Sequence, residues 1–190
     1  MHLHTILDKL LDYAERTQPD IRSVMQPGLD AATIWQRVPL ALPNAVVELY
    51  QWQNGMRDEE RIEEHTLFSY HHFLSLEHAI DTYLELQRIN SEIGSVGYPP
   101  ELFPLFTFQG EYYAVWTDIA HDDFGSISFD YHGHEKVYDN LASMLNAILE
   151  CYETGGYNIQ DNDIEPDKQS RSDQSKMEYV PCSYRRYHPW

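Results

Sequence analysis

Residues 105–131 read LFTFQGEYYAVWTDIAHDDFGSISFDY, and this stretch decides the fold class. Three runs rich in aromatic and β-branched residues, Leu105 to Phe108, Tyr112 to Thr117 and Ile127 to Tyr131, are split by Gln109-Gly110 and by Asp122 to Gly125. Runs of this kind divided by turn residues read as strands of an antiparallel meander. Lys136-Val137-Tyr138 is expected to add a short strand. Pro99, Pro100 and Pro104 break any helix entering the region.

Upstream the period changes. Leu3, Ile6, Leu7, Leu10, Leu11 and Ala14 recur at helical spacing, with Asp8, Asp12 and Glu15 on the other side. Pro27-Gly28 marks a turn, and Asp30 is placed to cap a second helix through Ile34 and Trp35. A third helix is expected from Pro43-Asn44 through Trp52, ended by Asn54-Gly55. After an acidic linker, Asp58 to Glu64, the residues Leu67 to Tyr70 are expected to form a strand. Ser75 then caps a helix carrying Leu76, Ala79, Ile80, Tyr83 and Leu84, with Glu77 in its first turn, where the helix dipole favours an anion. Downstream, Leu141, Met144, Leu145, Ile148 and Leu149 predict a last amphipathic helix. Helices, then strands, then a helix indicate one α+β domain with an antiparallel sheet packed against helices, over residues 1–157. Residues 158–190 form a polar then aromatic tail, expected to be flexible.

The chain has 190 residues, enough for one good core. Thirteen Lys and Arg against 31 Asp and Glu leave a formal charge of −18. Phosphate contacts need clustered cations, so direct nucleic-acid binding and attachment to anionic membranes are disfavoured. The field favours a basic protein or a cation, with solubility alone as the competing explanation of the charge. The N-terminal residues read as neither a signal peptide nor a membrane span. Two cysteines, Cys151 and Cys182, make neither a metal pair nor a disulfide framework, so a reduced, cytoplasmic protein is the expectation.

Pro27-Gly28-Leu29-Asp30, Ile34, Leu42-Pro43, Val46, Leu49-Tyr50 and Asn54-Gly55 together resemble the opening of an SMI1/KNR4 (SUKH) domain. Phe73 to Glu77, Phe103 to Phe106, Gly110-Glu111, Trp116 to Asp118, Gly125 to Ile127 and Leu141 to Leu149 continue the likeness in order, from about Pro27 to Gly156. The segment Asp58 to Glu64 departs from the pattern in length and acidity. The resemblance implies a non-catalytic α+β domain that binds other proteins: bacterial members resemble immunity proteins against polymorphic toxins, many of them basic nucleases, and fungal members resemble cell-wall regulators. Leu42, Pro43, Tyr50, Asn54 and Gly55 would then be structural motif residues.

No nucleophile elbow, Walker loop or zinc signature occurs, so neither catalysis nor a cofactor is expected. The rival reading is a metal-dependent enzyme using His121, Asp122, Asp123, Asp130, His132, His134 and Glu135; its weakness is the lack of a third ligand at a recognisable spacing. The pairs His2/His4 and His71/His72 are expected at exposed positions, and Cys151 is expected to be buried in the last helix. Residues 89–135 hold eight acidic residues and no Lys or Arg. Rings embedded in such a negative stretch suit a cationic partner, with Trp116 and Tyr113 as anchors and Glu111, Asp118, Asp122 and Asp123 as its acids. The expected function is an immunity-type inhibitor that neutralises a basic, nuclease-type toxin; the alternative is a regulatory or scaffolding domain with a cellular partner.

Overall fold

The computed structural model describes residues 2–57, 65–68, 70–94, 97–130, 133–154, 157–160 and 163–166. The acidic linker Asp58 to Glu64, His132 and the tail beyond residue 166 therefore lie outside the described residues. In chain order the helices are α1 (Leu3–Thr17), α2 (Ile21–Val24), α3 (Ala31–Arg37), α4 (Asn44–Trp52), α5 (Leu76–Ile93) and α6 (Leu141–Glu153). The strands are β1 (Met25–Pro27), β2 (Gln53–Met56), β3 (His72–Phe73), β4 (Leu102–Phe108), β5 (Glu111–Trp116), β6 (Ile127–Asp130), β7 (His134–Tyr138), β8 (Tyr157–Gln160) and β9 (Asp163–Pro166). This is the α+β arrangement that the order of periods implies.

Local chemistry sets the helix starts. Asp30 accepts the Thr33 N–H at 3.0 Å, Ser75 accepts the His78 N–H at 3.2 Å and Asn140 accepts the Ser143 N–H at 2.9 Å. Glu77 lies in the first turn of α5 and pairs with Arg37 of α3. The apolar residues of α1 are buried as a set and pack on α4 and α6, where Tyr13 stacks on Tyr152 with centroids 5.0 Å apart. Among the described residues, no helix is long and apolar enough to cross a membrane.

The central sheet runs β3-β4-β5-β6-β7, every pair antiparallel. Its inward face contributes Phe103, Tyr113, Val115, Ile127, Phe129 and Val137 to the main core. A register shift between Pro104 and Phe106 turns both Leu105 and Phe106 inward, as a bulge does. Leu102, Ala114, Tyr112 and Trp116 face the other way, under Leu86 and Tyr98.

Several expectations change. Among the described residues of Leu67 to Tyr70 there is no strand; Phe68 and His71 make an isolated bridge, and the edge strand is His72–Phe73. Leu84 is on the solvent side of α5. Gly28 is not a simple turn residue: a Cβ there would lie 1.9 Å from the Gln51 carbonyl oxygen, so Gly is needed for β1 to approach the end of α4. Asn54-Gly55 sits in β2, which pairs with β1, rather than merely closing α4. Gly55 has φ +68°, and its Cβ would meet the Leu74 carbonyl at 2.4 Å. Tyr157–Gln160 (β8) pairs antiparallel with Asp163–Pro166 (β9), within the start of the tail at 158 that is expected to be flexible.

Candidate functional site

The connection between β5 and β6, residues 117–125, is an acidic loop held by its own hydrogen bonds. Trp116 N–H donates to the Ser126 carbonyl at 3.0 Å, and Gly125 N–H returns to the Trp116 carbonyl at 2.9 Å, closing the base. Within it, Asp118 accepts the Ala120 N–H on its carboxylate at 2.9 Å and the His121 N–H on its carbonyl at 3.1 Å. Short acidic side chains bonded to the backbone two residues on are the usual device of such turns. The Asp123 N–H donates to His121 Nδ1 at 3.1 Å. That nitrogen is therefore an acceptor, and the nearby Asp123 carboxylate at 3.5 Å forms no ion pair with it.

The loop is fixed to the body at three further points. The His121 ring stacks on Trp116 at 5.3 Å, nearly coplanar at 13°. Trp116 Nε1–H donates to Ser128 Oγ at 2.9 Å. Thr117 donates both its N–H and its hydroxyl to the Glu101 carbonyl, at 2.8 and 2.7 Å. Gly125 lies against Pro43, whose carbonyl accepts the Val46 N–H that opens α4, so the Leu42-Pro43 motif backs the acidic loop.

Four of the six residues expected to face a partner thus come together: Trp116, Asp118, Asp122 and Asp123. Asp122 is exposed, while Asp118, Asp123 and Trp116 are half-buried. The loop also presents Ile119, 71% exposed, and Phe124, 37% exposed. Nothing in the hydropathy pattern singled out Ile119; a lone branched apolar residue between Asp118 and Ala120 is its only signal. Lys136 was missed for a different reason. It stands one position past the cation-free stretch, and β7 brings its Nζ to 2.9 Å from Asp123 and 3.4 Å from Asp139. Asp123 is therefore already paired with a cation, whereas Asp118 and Asp122 have no Lys or Arg partner among the described residues.

Tyr113 and Glu111 are placed elsewhere. Tyr113 is 1% exposed on the inward face, packed on Phe68, His71 and Phe129, and has no ring surface to offer a partner. Glu111 is 6% exposed, its Oε2 has no hydrogen-bond partner among the described residues, and burial raises its carboxyl above the ordinary glutamate range. Both follow from alternation: residues 111, 113 and 115 share the inward face, and 112, 114 and 116 the outward one.

The histidine cluster is divided by the same geometry. His121 lies beyond the Trp116 end of β5, whereas Asp130 and His134 oppose one another beside Tyr112, at the far end of that strand. Among the described residues no group of three or more His, Cys, Asp or Glu is placed to hold a metal ion. His71 and His72, expected to be exposed, are buried; His71 sits among Phe68, Phe108 and Tyr113, and His72 Nδ1 bonds the His65 carbonyl. Cys151 is buried on α6, as expected.

The motif residues are structural. Leu42 and Tyr50 are buried in the core, and the Tyr50 hydroxyl has no hydrogen-bond partner among the described residues. Asn54 accepts the Leu76 N–H at 3.0 Å and donates to Glu77 Oε2 at 3.0 Å, so it caps α5 from a distant strand.

No curated protein matches the chain. The profile of the SMI1 / KNR4 family (SUKH-1) matches residues 32–150, more than half of the chain, and that span includes Leu42-Pro43, Asn54-Gly55, the five-stranded sheet and the acidic loop. The chain belongs to the SMI1/KNR4 family (SUKH-1).

Proposed function

We propose that this protein is a non-catalytic, immunity-type inhibitor that binds a basic, nuclease-type toxin and occupies its nucleic-acid groove. SMI1/KNR4 domains are protein-binding modules associated with immunity. The observation that carries the reading is the 117–125 loop: two carboxylates, Asp118 and Asp122, that pair with no Lys or Arg among the described residues, beside exposed Ile119 and Phe124, on a backbone fixed by hydrogen bonds. A preorganised loop loses little conformational freedom on binding. Its apolar side chains supply burial, and its charges accelerate encounter with a basic surface. Such a contact would bury on the order of 1,600 Å².

The experiment is capture from the organism's own lysate at low salt, followed by association kinetics with the captured protein at several ionic strengths. A single basic partner whose association slows steeply with salt, and slows further with Asp118→Asn/Asp122→Asn, supports the proposal. Neutral partners indifferent to salt and to both substitutions would instead make the protein a scaffolding or regulatory domain.

A further inference from the structure

His121 is the residue of the 117–125 loop that net charge does not account for, and it is fixed at two points. Its ring lies flat on Trp116, at 5.3 Å and 13°, and its Nδ1 accepts the Asp123 N–H at 3.1 Å. Trp116 is held in turn by its indole N–H on the fully buried Ser128. The Asp123 carboxylate is taken by Lys136 at 2.9 Å, which leaves the His121 Nδ1 to the backbone amide. The imidazole is therefore oriented, although its side chain is 49% exposed.

A backbone amide can only donate, so the nitrogen it meets carries no hydrogen. The ring is then neutral, with its single N–H on Nε2. Among the described residues that N–H meets no acceptor. No other side chain of the loop can take its place. Thr117 spends its hydroxyl on the Glu101 carbonyl at 2.7 Å, and the remaining residues are Asp, Ile, Ala, Phe and Gly. An ionised Asp only accepts, and the other four have no polar side-chain hydrogen. His121 is thus the one side-chain donor left to a loop otherwise built of acceptors and apolar groups.

We propose that His121 is a specificity-determining residue, which requires the partner to place an acceptor on Nε2–H as well as cations on Asp118 and Asp122. The inference rests on the reading of this loop as the surface for a basic partner. It narrows the chemistry of that partner to a basic polypeptide segment that offers a carbonyl beside its Lys or Arg. A polypeptide carries such a carbonyl at every residue. A polyamine or a bare cation carries none, so it gains the Coulomb attraction of the loop and leaves the His121 donor unmet. Charge then sets how fast cations arrive, and the single donor separates one class of cation from another.

The test uses the full chain and two probes of matched charge, spermine and an acetylated, amidated tetralysine peptide, of which only the peptide has acceptors. Nitrogen–proton NMR correlation of the His121 ring comes first. It should place the hydrogen on Nε2, and a hydrogen on Nδ1 overturns the proposal before any probe is added. The amides of the loop are then titrated with each probe. Asp118→Asn/Asp122→Asn should weaken both probes alike. His121→Phe keeps a flat ring for Trp116 but has no N–H. It should weaken tetralysine roughly threefold to tenfold, the size of one net hydrogen bond, and leave spermine unchanged. His121→Gln, whose amide can accept from Asp123 and still donate outward, should restore the preference for the peptide. Equal loss of both probes in His121→Phe makes the ring a structural prop and overturns the proposal, as does no loss of either. Probes indifferent to the double Asp change would sink the loop as a cationic surface, and this inference with it.

Discussion

The two faces of the central sheet are built from the same strands and do different work. The inward face is closed by Phe103, Leu105, Phe106, Tyr113 and Ile127, all fully buried against the helices. The outward face carries Tyr112, Trp116, Ser128, Asp130 and His134, four of them half-buried and only Ser128 fully buried, where it accepts from the Trp116 indole. Burial tolerates little variety: interior packing is dense and any lost volume is felt. The outward face can hold carboxylates, imidazoles and an indole because α5 and Tyr98 cover only part of it. Stability resides mainly on the inward side, and the outward side is where we place recognition.

The largest effect should come from the inward face. Phe106→Ala should destabilise by about 3–5 kcal/mol, a fall in Tm of roughly 10 °C for a domain of this size, measured by calorimetry. If Tyr112→Ala on the outward face costs as much, the division between the faces fails. Next, Asp118→Asn/Asp122→Asn should lower the association rate with a basic partner about tenfold at low salt, with unfolding free energy unchanged within about 0.5 kcal/mol.

A smaller effect tests a misplaced charge. Burial raises the Glu111 carboxyl, so its folded form prefers the proton more than its unfolded form does. Its favourable contribution is complete at acid pH and disappears as pH rises through the folded value, leaving an unpartnered buried charge at neutrality. Glu111→Gln should therefore stabilise by about 1 kcal/mol at pH 8, with the difference shrinking on acidification, read from urea unfolding at several pH values. A constant difference would place the carboxylate in water. Smallest of all, Lys136→Met should change stability by less than about 0.5 kcal/mol, since the bridge it removes is half-exposed. The informative readout is association with a cationic partner, which should speed up as Asp123 is uncovered.

Much of the fold was readable because its signals are local. The α1 and α6 stripes, the Asp30 and Ser75 caps and the strands flanking Gln109-Gly110 each depend on neighbours within a few residues. Part of the site was readable for the same reason, since Asp118, Asp122 and Asp123 share one turn. Strand alternation carried the information that Glu111 and Tyr113 point inward, yet their charge and hydroxyl suggested exposure. Leu67 to Tyr70 misled by composition: its apolar residues are buried without a ladder partner, through an isolated bridge and a left-handed Tyr70.

Sequence by itself determined the α+β class, the helix stripes, the meander and the strongly acidic surface, because periodicity, turn chemistry and net charge are properties of short segments and of composition. Only the tertiary structure decided that Asn54 caps α5, that Lys136 neutralises Asp123, that Gly28 lies against α4, and that His134 meets both Asp130 and Gly97. Each of these joins groups brought together by helix packing or sheet register. A hydrogen bond or ion pair depends on ångström-scale placement, and no local pattern encodes which distant residue will occupy that place.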